Sequence, residues 1–182
     1  MKFQSTPNRC ISHQGEQIWI SRSVTVVPVT LFVVSNEEAY VPLGKRGTDL
    51  PDEQGKWGLA GGYLDYDETA GGAVVREIWE ELGIDILALQ EKYRFEGNLE
   101  QPYFVYSEPL RRQNVTLRFP LMFFLESAAE LPKLQPQVSK GEVVDARWYA
   151  LKDALSMQLA FNHQDVMRQC LDIHYQGIWP ST

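Results

Sequence analysis

The stretch GYLDYDETAGGAVVREIWEELGI, residues 62–84, has the most informative pattern in this chain. Its apolar residues recur at helical spacing from Thr69 to Leu82, with Asp67 or Thr69 as the N-cap and Gly83 suited to the C-terminal turn. On a helical wheel, one arc is apolar and predicted to be buried: Ala70, Gly71, Val74, Val75, Ile78 and Leu82. The stretch therefore predicts a loop, an amphipathic helix and a second loop.

Three glutamates of this helix, Glu77, Glu80 and Glu81, fall on the arc that borders the apolar face. Spacings of three and four residues bring helical side chains onto one surface. Ionised carboxylates at the edge of a core are costly unless they find partners. A hard divalent cation would relieve that cost, and so would pairing with Arg76. From the helix alone, a metal site and a solvated acidic face paired with Arg76 are both open.

The wider spacing resembles the Nudix box, Gly-x5-Glu-x7-Arg-Glu-aliphatic-x-Glu-Glu-x-Gly-aliphatic. The matching residues are Gly62, Glu68, Arg76, Glu77, Ile78, Glu80, Glu81, Gly83 and Ile84. Every defining position of the box is present from Gly62 to Ile84, so the chain is similar to Nudix hydrolases. The loop departs from the commonest form, because Asp67 replaces a frequent glycine and Ala60 stands where proline often precedes the glycine pair.

The resemblance implies a magnesium or manganese cofactor held by the loop–helix–loop. Glu80 and Glu81 are implied to be direct ligands, with the backbone carbonyl of Gly61 as a third and Glu77 as an additional one. A later loop often supplies a further carboxylate, and Glu142, just before a predicted strand, is the best candidate. Oxygen donors of this kind suit a hard divalent cation.

Further roles are implied for residues around these ligands. Glu77 would orient the attacking water or deprotonate it, and family members differ in which carboxylate is the base. Arg76 would fix the orientation of a glutamate, and Glu68 would complete the packing of the loop and assist with water or metal. Lys45 and Arg46 end a strand that leads towards the site, where either could bind a phosphate oxygen.

The implied activity is that of a hydrolase acting on acid anhydrides in phosphorus-containing compounds. Water would attack a diphosphate bond in a nucleoside diphosphate-linked substrate, either a nucleotide sugar such as ADP-ribose or a nucleoside triphosphate. The alternative is a binding module of the same fold that senses nucleotides without hydrolysing them. Retention of every glutamate of the box favours the enzyme.

The composition predicts one acidic globular domain, residues 1–182. Hydrophobic residues make up 44% and charged residues 23%, and the net charge of −7 disfavours general binding to the nucleic-acid backbone. No apolar run approaches the roughly 20 residues that cross a bilayer, and the N-terminus lacks the order of a secretory signal. We therefore expect a cytoplasmic protein without nucleic-acid or membrane partners. Strand edges that need cover favour a homodimer.

Segments on both sides of the box predict the rest of the fold. The N-terminal strands lie within 17–43, with Pro28 breaking the run between Gln17–Val27 and Val29–Ser35. The remaining segments are a loop at Gly44–Gly62, strands at Lys92–Phe95, Tyr103–Tyr106, Val115–Glu126 and Val143–Tyr149, and helices at about 151–174. His163 suits the start of a helix better than metal ligation. Together with the resemblance, this predicts an α/β fold, a Nudix-like α/β/α sandwich with a central mixed β-sheet.

Overall fold

The computed structural model of the chain describes residues 9–35, 38–107, 114–139 and 141–174. The strands are β1 (Arg9–His13), β2 (Glu16–Ile20), β3 (Val24–Ser35), β4 (Glu38–Arg46), β5 (Trp57–Gly58), β6 (Gly62–Tyr63), β7 (Arg94–Gly97), β8 (Phe104–Ser107), β9 (Val115–Phe124) and β10 (Val143–Ala150). The α-helices are α1 (Ala70–Leu82), α2 (Ile86–Lys92), α3 (Leu151–Ser156) and α4 (His163–His174), and 3₁₀ turns lie at Ala128–Glu130 and Ala160–Asn162. Within these ranges, no helix is both long and apolar enough to cross a membrane.

The central sheet is mixed. Its strand order is β10-β4-β3-β9-β7. Three further strands lie off this path: β5 pairs with β4, β6 with β3 and β8 with β9. Strands β3 and β9 run parallel, from Val24 beside Val115 to Val33 beside Phe124, whereas the other pairs are antiparallel. Helices α1 and α2 pack on one face of this sheet, and α3 and α4 pack on the other. The predicted α/β/α sandwich with a central mixed sheet is confirmed.

Alternating side chains on the two parallel strands divide the interior into two cores. The core beneath α3 and α4 takes Val29, Leu31 and Val33 of β3 and Met122 of β9. The core beneath α1 takes Val26 and Phe32 of β3 and Phe119, Leu121 and Phe123 of β9. Burial of each large apolar side chain contributes roughly 1.5–3 kcal/mol. The two cores therefore fix which helix lies on which face of the sheet.

The predicted break at Pro28 is wrong, because β3 runs through it from Val24 to Ser35. Between its pairing with β6, which ends at Val26, and its pairing with β4, which begins at Phe32, β3 is paired with β9 alone. A proline inside a strand removes a ladder hydrogen bond only where a partner strand would accept it. Pro28 falls in the interval with one partner strand, so the strand tolerates it.

The predicted helix of the box is confirmed as α1. The side-chain oxygen of Thr69 accepts a hydrogen bond from the backbone N–H of Gly72, and Gly83 ends the helix in the left-handed region with φ 71°. Its buried residues are Ala73, Val74, Glu77, Ile78 and Leu82. The buried arc is therefore rotated towards Glu77 relative to the predicted one, and this carboxylate enters the core.

Other element boundaries differ from the predictions. The run predicted as one strand from Gln17 to Val27 is divided between β2 and β3, and β4 extends beyond Leu43 to Arg46. Strand β1, which turns into β2 through Gln14 and Gly15 at positive φ, had no predicted counterpart. Helix α2 was also missed, although Asp85 caps it by accepting from the N–H of Ala88.

Two glycines with left-handed backbones, Gly83 at the end of α1 and Gly55 in the loop before β5, differ in the space around them. An added Cβ at Gly83 would lie 2.1 Å from the backbone oxygen of Gln135, whereas at Gly55, with φ 74°, nothing lies within 4 Å. We expect Gly83→Ala to lower the free energy of unfolding by about 3 kcal/mol, the sum of a left-handed backbone and a steric clash. Gly55→Ala should cost about 1 kcal/mol, for the backbone alone. Urea denaturation measures both, and equal losses would contradict the assigned clash.

Candidate functional site

A glycine pair brings the loop before α1 into contact with β3 and with the helix. Gly61 has φ 151°, and an added Cβ there would lie 2.3 Å from the backbone oxygen of Val26. An added Cβ at Gly62 would lie 2.4 Å from Glu77 Oε1. Both positions require glycine, because a side chain would displace either the central strand or the buried carboxylate. The loop backbone therefore lies directly against the acidic face of α1.

The guanidinium group of Arg76 joins three carboxylates of the site. Its Nε and Nη2 donate to the two oxygens of Glu68 at 3.1 and 2.6 Å. Its Nη1 donates to Glu77 Oε1 at 2.8 Å and to Glu80 Oε2 at 3.0 Å, and Nη2 donates to the carbonyl oxygen of Tyr63 at 2.9 Å. These bonds lower the pKa of Glu68 below its usual range and raise the pKa of Arg76.

Two glutamates of α1 carry their carboxyl groups into surroundings that disfavour charge. Glu77 is buried, and desolvation raises its pKa, although the bond from Arg76 opposes the shift. Burial also raises the pKa of Glu81 to about 8, with repulsion from Glu77 adding to the effect. Glu81 Oε2 accepts a hydrogen bond of 3.2 Å from the N–H of Gly61. Burial therefore opposes ionisation of both groups, and the guanidinium of Arg76 offsets only part of this cost at Glu77.

Glu142 lies on a loop that faces these carboxylates. Its side chain is exposed and accepts from the Ser139 hydroxyl at 3.3 Å. Its backbone oxygen accepts from the N–H of Gly47 at 2.7 Å, which joins this loop to the end of β4. The negative charge of Glu142 contributes to the raised pKa of Glu81. Glu142 therefore acts on the site through its charge.

The two basic residues at the end of β4 occupy different surroundings. Lys45 lies opposite Trp57 of β5 and Asp145 of β10 in the sheet. The guanidinium of Arg46 lies 4.6 Å from the centroid of the Phe161 ring, and its Nε donates to the carbonyl oxygen of Asp52 at 3.1 Å. The charge of Arg46 lowers the pKa of Glu81, so Arg46 lies near enough to interact with the acidic site.

The donor set has the chemistry that a hard divalent cation requires. Glu77 and Glu81 are carboxylates whose charged forms are disfavoured by burial, and a cation would stabilise both. Among the residues that the structure describes, no three His, Cys, Asp or Glu side chains are already grouped as metal ligands. Arg76 instead binds oxygens of Glu77 and Glu80. The residues fit such an ion chemically, and its binding would compete with Arg76 for these oxygens.

An open groove lies on the face of the sheet that carries α4, and it was not predicted from the sequence. Its volume is about 380 Å³. The lining residues are Phe104, Tyr106, Arg118, Phe161, Asn162, Asp165, Val166 and Gln169. The guanidinium of Arg118 lies 5.1 Å from the ring centroids of both Phe104 and Tyr106. Residues from two strands, a 3₁₀ turn and a helix form this groove, so no local sequence pattern marks it.

His163 begins α4, as predicted, and it also contacts the segment between β5 and β6. Its ring is buried, and Nδ1 accepts a hydrogen bond of 2.9 Å from the backbone N–H of Leu59. Burial lowers the pKa of His163 to about 3, and the positive charges of Arg46 and Arg118 add to the shift. The ring is therefore neutral near pH 7. Its isolated position in the sequence gave no sign of this contact.

Comparison with known proteins identifies a family. The model of the NUDIX domain matches residues 25–170, which is most of the chain. The matched segment includes the loop–helix–loop, the basic end of β4 and most of α4. The comparison with curated proteins gives no match.

Solved structures share the fold at low sequence identity. The NUDIX domain of Shewanella oneidensis NrtR, complexed with ADP ribose, aligns with TM-score 0.59 and 23% identity over 84% of this chain and 88% of that one. A NUDIX hydrolase from Nitrosomonas europaea aligns with TM-score 0.56 and 22% identity over 96% and 93%. A bifunctional NMN adenylyltransferase/ADP ribose pyrophosphatase from Francisella tularensis aligns with TM-score 0.58 and 19% identity over 84% of this chain and 41% of that one. At these identities, the likeness shows the fold.

The contacts of Arg76 predict unequal couplings with two acidic neighbours. Glu68 binds it through two hydrogen bonds with a side chain 18% exposed, whereas Asp65 lies 3.9 Å away and is 72% exposed. Double-mutant cycles with Arg76→Gln, Glu68→Gln and Asp65→Asn should give a coupling of about 1.5 kcal/mol for Glu68. The coupling for Asp65 should stay below about 0.5 kcal/mol. Free energies of unfolding in urea measure both, and equal couplings would contradict the assigned geometry.

Proposed function

Since this chain belongs to the NUDIX family, we propose that it is a divalent-metal-dependent pyrophosphohydrolase. Its substrate would be a nucleoside diphosphate-linked molecule, cleaved at the diphosphate bond by water. The observation that carries the proposal is the complete acidic set gathered on α1 and the loop before it. Two of these carboxyl groups, Glu77 and Glu81, have charged forms that burial disfavours and a cation would stabilise.

We propose Mg²⁺ or Mn²⁺ as the cofactor. Glu80, Glu81 and the backbone carbonyl of Gly61 would hold it, with Glu77 and Glu142 as additional oxygen donors. When bound, the ion supplies Lewis-acid stabilisation of the negative charge on diphosphate oxygens. The charge of Glu142 already acts on Glu81, which supports its place in this set.

The other residues of the site would orient and move protons. Arg76 would keep Glu68 and Glu77 in fixed directions through its short hydrogen bonds to both. Glu77 would orient the attacking water or accept its proton, because it is the buried carboxylate beside the Gly62 backbone. Arg46 and Lys45 would bind phosphate oxygens from the end of β4.

The groove supports a substrate that joins a diphosphate to a ring. Arg46 lies near the acidic site and against Phe161, and Phe161 lines the groove, so a molecule could reach both places. Aromatic rings and guanidinium groups are surfaces on which planar bases stack. We propose ADP-ribose or another nucleotide sugar, or a nucleoside triphosphate, as the substrate class. The presence of ADP ribose in one similar structure supports the first.

We propose one domain over residues 1–182 and a cytoplasmic location, and the family match over residues 25–170 supports the first. A small-molecule nucleotide is the proposed partner. A homodimer is proposed because β1 and β2 form a separate two-stranded sheet with exposed Ile11 and Ile18.

A binding module without hydrolytic activity is the second candidate. The hydrogen bonds of Arg76 to Glu77 and Glu80 favour it, because they engage oxygens that a metal would need. The complete set of box glutamates favours the hydrolase. Tight ADP-ribose binding, together with no turnover across a panel of nucleotides in Mg²⁺ or Mn²⁺, would identify the binding module.

Substitution of the proposed ligands tests the hydrolase. Glu80→Gln and Glu81→Gln should each lower kcat by about 100-fold or more, because each removes a charged oxygen donor. The loss is measured in reactions that contain millimolar Mg²⁺. Chromatography follows the release of AMP from ADP-ribose and of nucleoside monophosphate from triphosphates. Glu91→Gln on the exposed surface of α2 is the matched control and should keep wild-type turnover. Unchanged turnover in both ligand variants would reject these assignments.

A further inference from the structure

The backbone between β5 and β6 carries the glycine pair, yet the strands beside it are short. Strands β5 and β6 have two residues each, so few ladder hydrogen bonds hold the intervening residues 59–61. In this segment, the N–H of Gly61 binds Glu81, and the carbonyl of Gly61 is a proposed metal ligand. Its position therefore requires support from elsewhere in the fold.

That support comes from the far end of the chain, where His163 binds the same segment. Nδ1 of His163 accepts the N–H of Leu59 at 2.9 Å, across 104 residues of sequence, and both residues are buried. The acceptor must be an unprotonated nitrogen, so the neutral ring carries its proton on Nε2. A buried N–H that loses its acceptor costs about 1–3 kcal/mol, so the segment is held in the position where the bond forms.

Close packing leaves the ring little room to move relative to the loop. An added Cβ at Gly58 would lie 3.1 Å from His163 Nδ1 and 3.4 Å from Ala160 Cβ. The ring therefore lies directly against the β5 backbone. Gly44, which pairs with Gly58 across β4 and β5, has only an ordinary contact of 3.6 Å to Val143. The tight contact is thus specific to the side that faces His163.

The turn before α4 adopts an unusual backbone to present this ring. Phe161 and Asn162 have φ values of 53° and 56°, a left-handed conformation that residues other than glycine seldom adopt. Such conformations persist where the surrounding structure holds them, and they occur often at functional sites. Phe161 also lies beneath Arg46 and lines the groove. The turn therefore lines the groove and contacts Arg46, and the residue that follows it binds Leu59.

We propose that His163 is a positioning residue for the acidic site. By accepting the Leu59 N–H, it fixes the backbone that leads into Gly61 and so places the Gly61 amide and carbonyl relative to Glu81. Its effect on turnover rests on the proposed hydrolase function, whereas its effect on the loop does not. The residue touches no reacting group and acts through the backbone of residues 59–61.

Three substitutions of His163 distinguish the loss of the hydrogen-bond acceptor from the loss of the volume of the ring. In His163→Asn, Oδ1 can take the place of Nδ1 as acceptor, whereas Gln carries its polar atoms one bond further out and Leu has none. We expect hydrogen exchange at the Leu59 amide to accelerate at least about 10-fold in His163→Leu and His163→Gln, and to stay within about 3-fold of wild type in His163→Asn. For ADP-ribose hydrolysis in Mg²⁺, kcat should fall about 10- to 100-fold in His163→Leu and His163→Gln, and KM should change by less than about 3-fold. His163→Asn should keep kcat within about 5-fold of wild type.

A second pair of variants keeps His163 and so avoids the loss of a buried ring. Gly58→Ala should push the ring from Leu59 and accelerate exchange at that amide, whereas Gly44→Ala should leave it unchanged. The proposal would be overturned if the Leu59 amide exchanged at the same rate in His163→Asn and His163→Leu, or if Gly58→Ala left that rate unchanged. If no nucleotide is hydrolysed by the wild type, the hydrolase function fails, and the exchange pattern alone decides the role of His163. If the exchange pattern holds but kcat is the same in all active variants, the positioning role is rejected.

Discussion

The attraction between one guanidinium group and three carboxylates is the interaction on which the acidic site depends. Glu68, Glu77 and Glu80 come from the loop and from successive turns of α1, and each meets Arg76 within 3.1 Å. Like charges this close repel strongly where water is partly excluded. The planar fork of arginine can bind several oxygens at once, which a lysine ammonium does less well. Arg76 thus offsets the repulsion among these three carboxylates.

The central sheet separates the two layers, and the site draws residues from both. The acidic groups lie on the α1 side, while the groove and His163 belong to the α4 side. Residues 59–61, between β5 and β6, connect α1 to the central sheet, because Gly61 donates to Glu81 and lies against the backbone of Val26 in β3. The hydrogen bond from Leu59 to His163 extends this connection to the start of α4. Loop geometry on one face therefore depends on packing on the other.

Sequence reasoning succeeds where spacing is local and fails where distant segments meet. The helix of the box and its end at Gly83 follow from one continuous stretch, which offers Asp67 or Thr69 as the N-cap, and in the structure Thr69 caps the helix. The burial of Glu77 was underestimated, because a wheel shows the direction of a side chain but not how closely the Gly62 backbone covers it. The continuity of β3 through Pro28 depends on which partner strands lie beside it, which the sequence does not show. The left-handed turn at Phe161 and Asn162 and the groove depend on long-range packing in the same way.

The parallel pairing of β3 with β9 has a consequence for the order in which the molecule assembles. Thr25 and Thr116 lie side by side although 91 residues separate them, so this pair closes a long loop, and such closures are slow. Helix α1 needs only local contacts and can begin to form much earlier. In chain order, β3 and β4 are synthesised before α1, whereas β9 and α4 are synthesised after it. The hydrogen bond between Leu59 and His163, which joins residues 104 positions apart, therefore forms late in the assembly of the molecule.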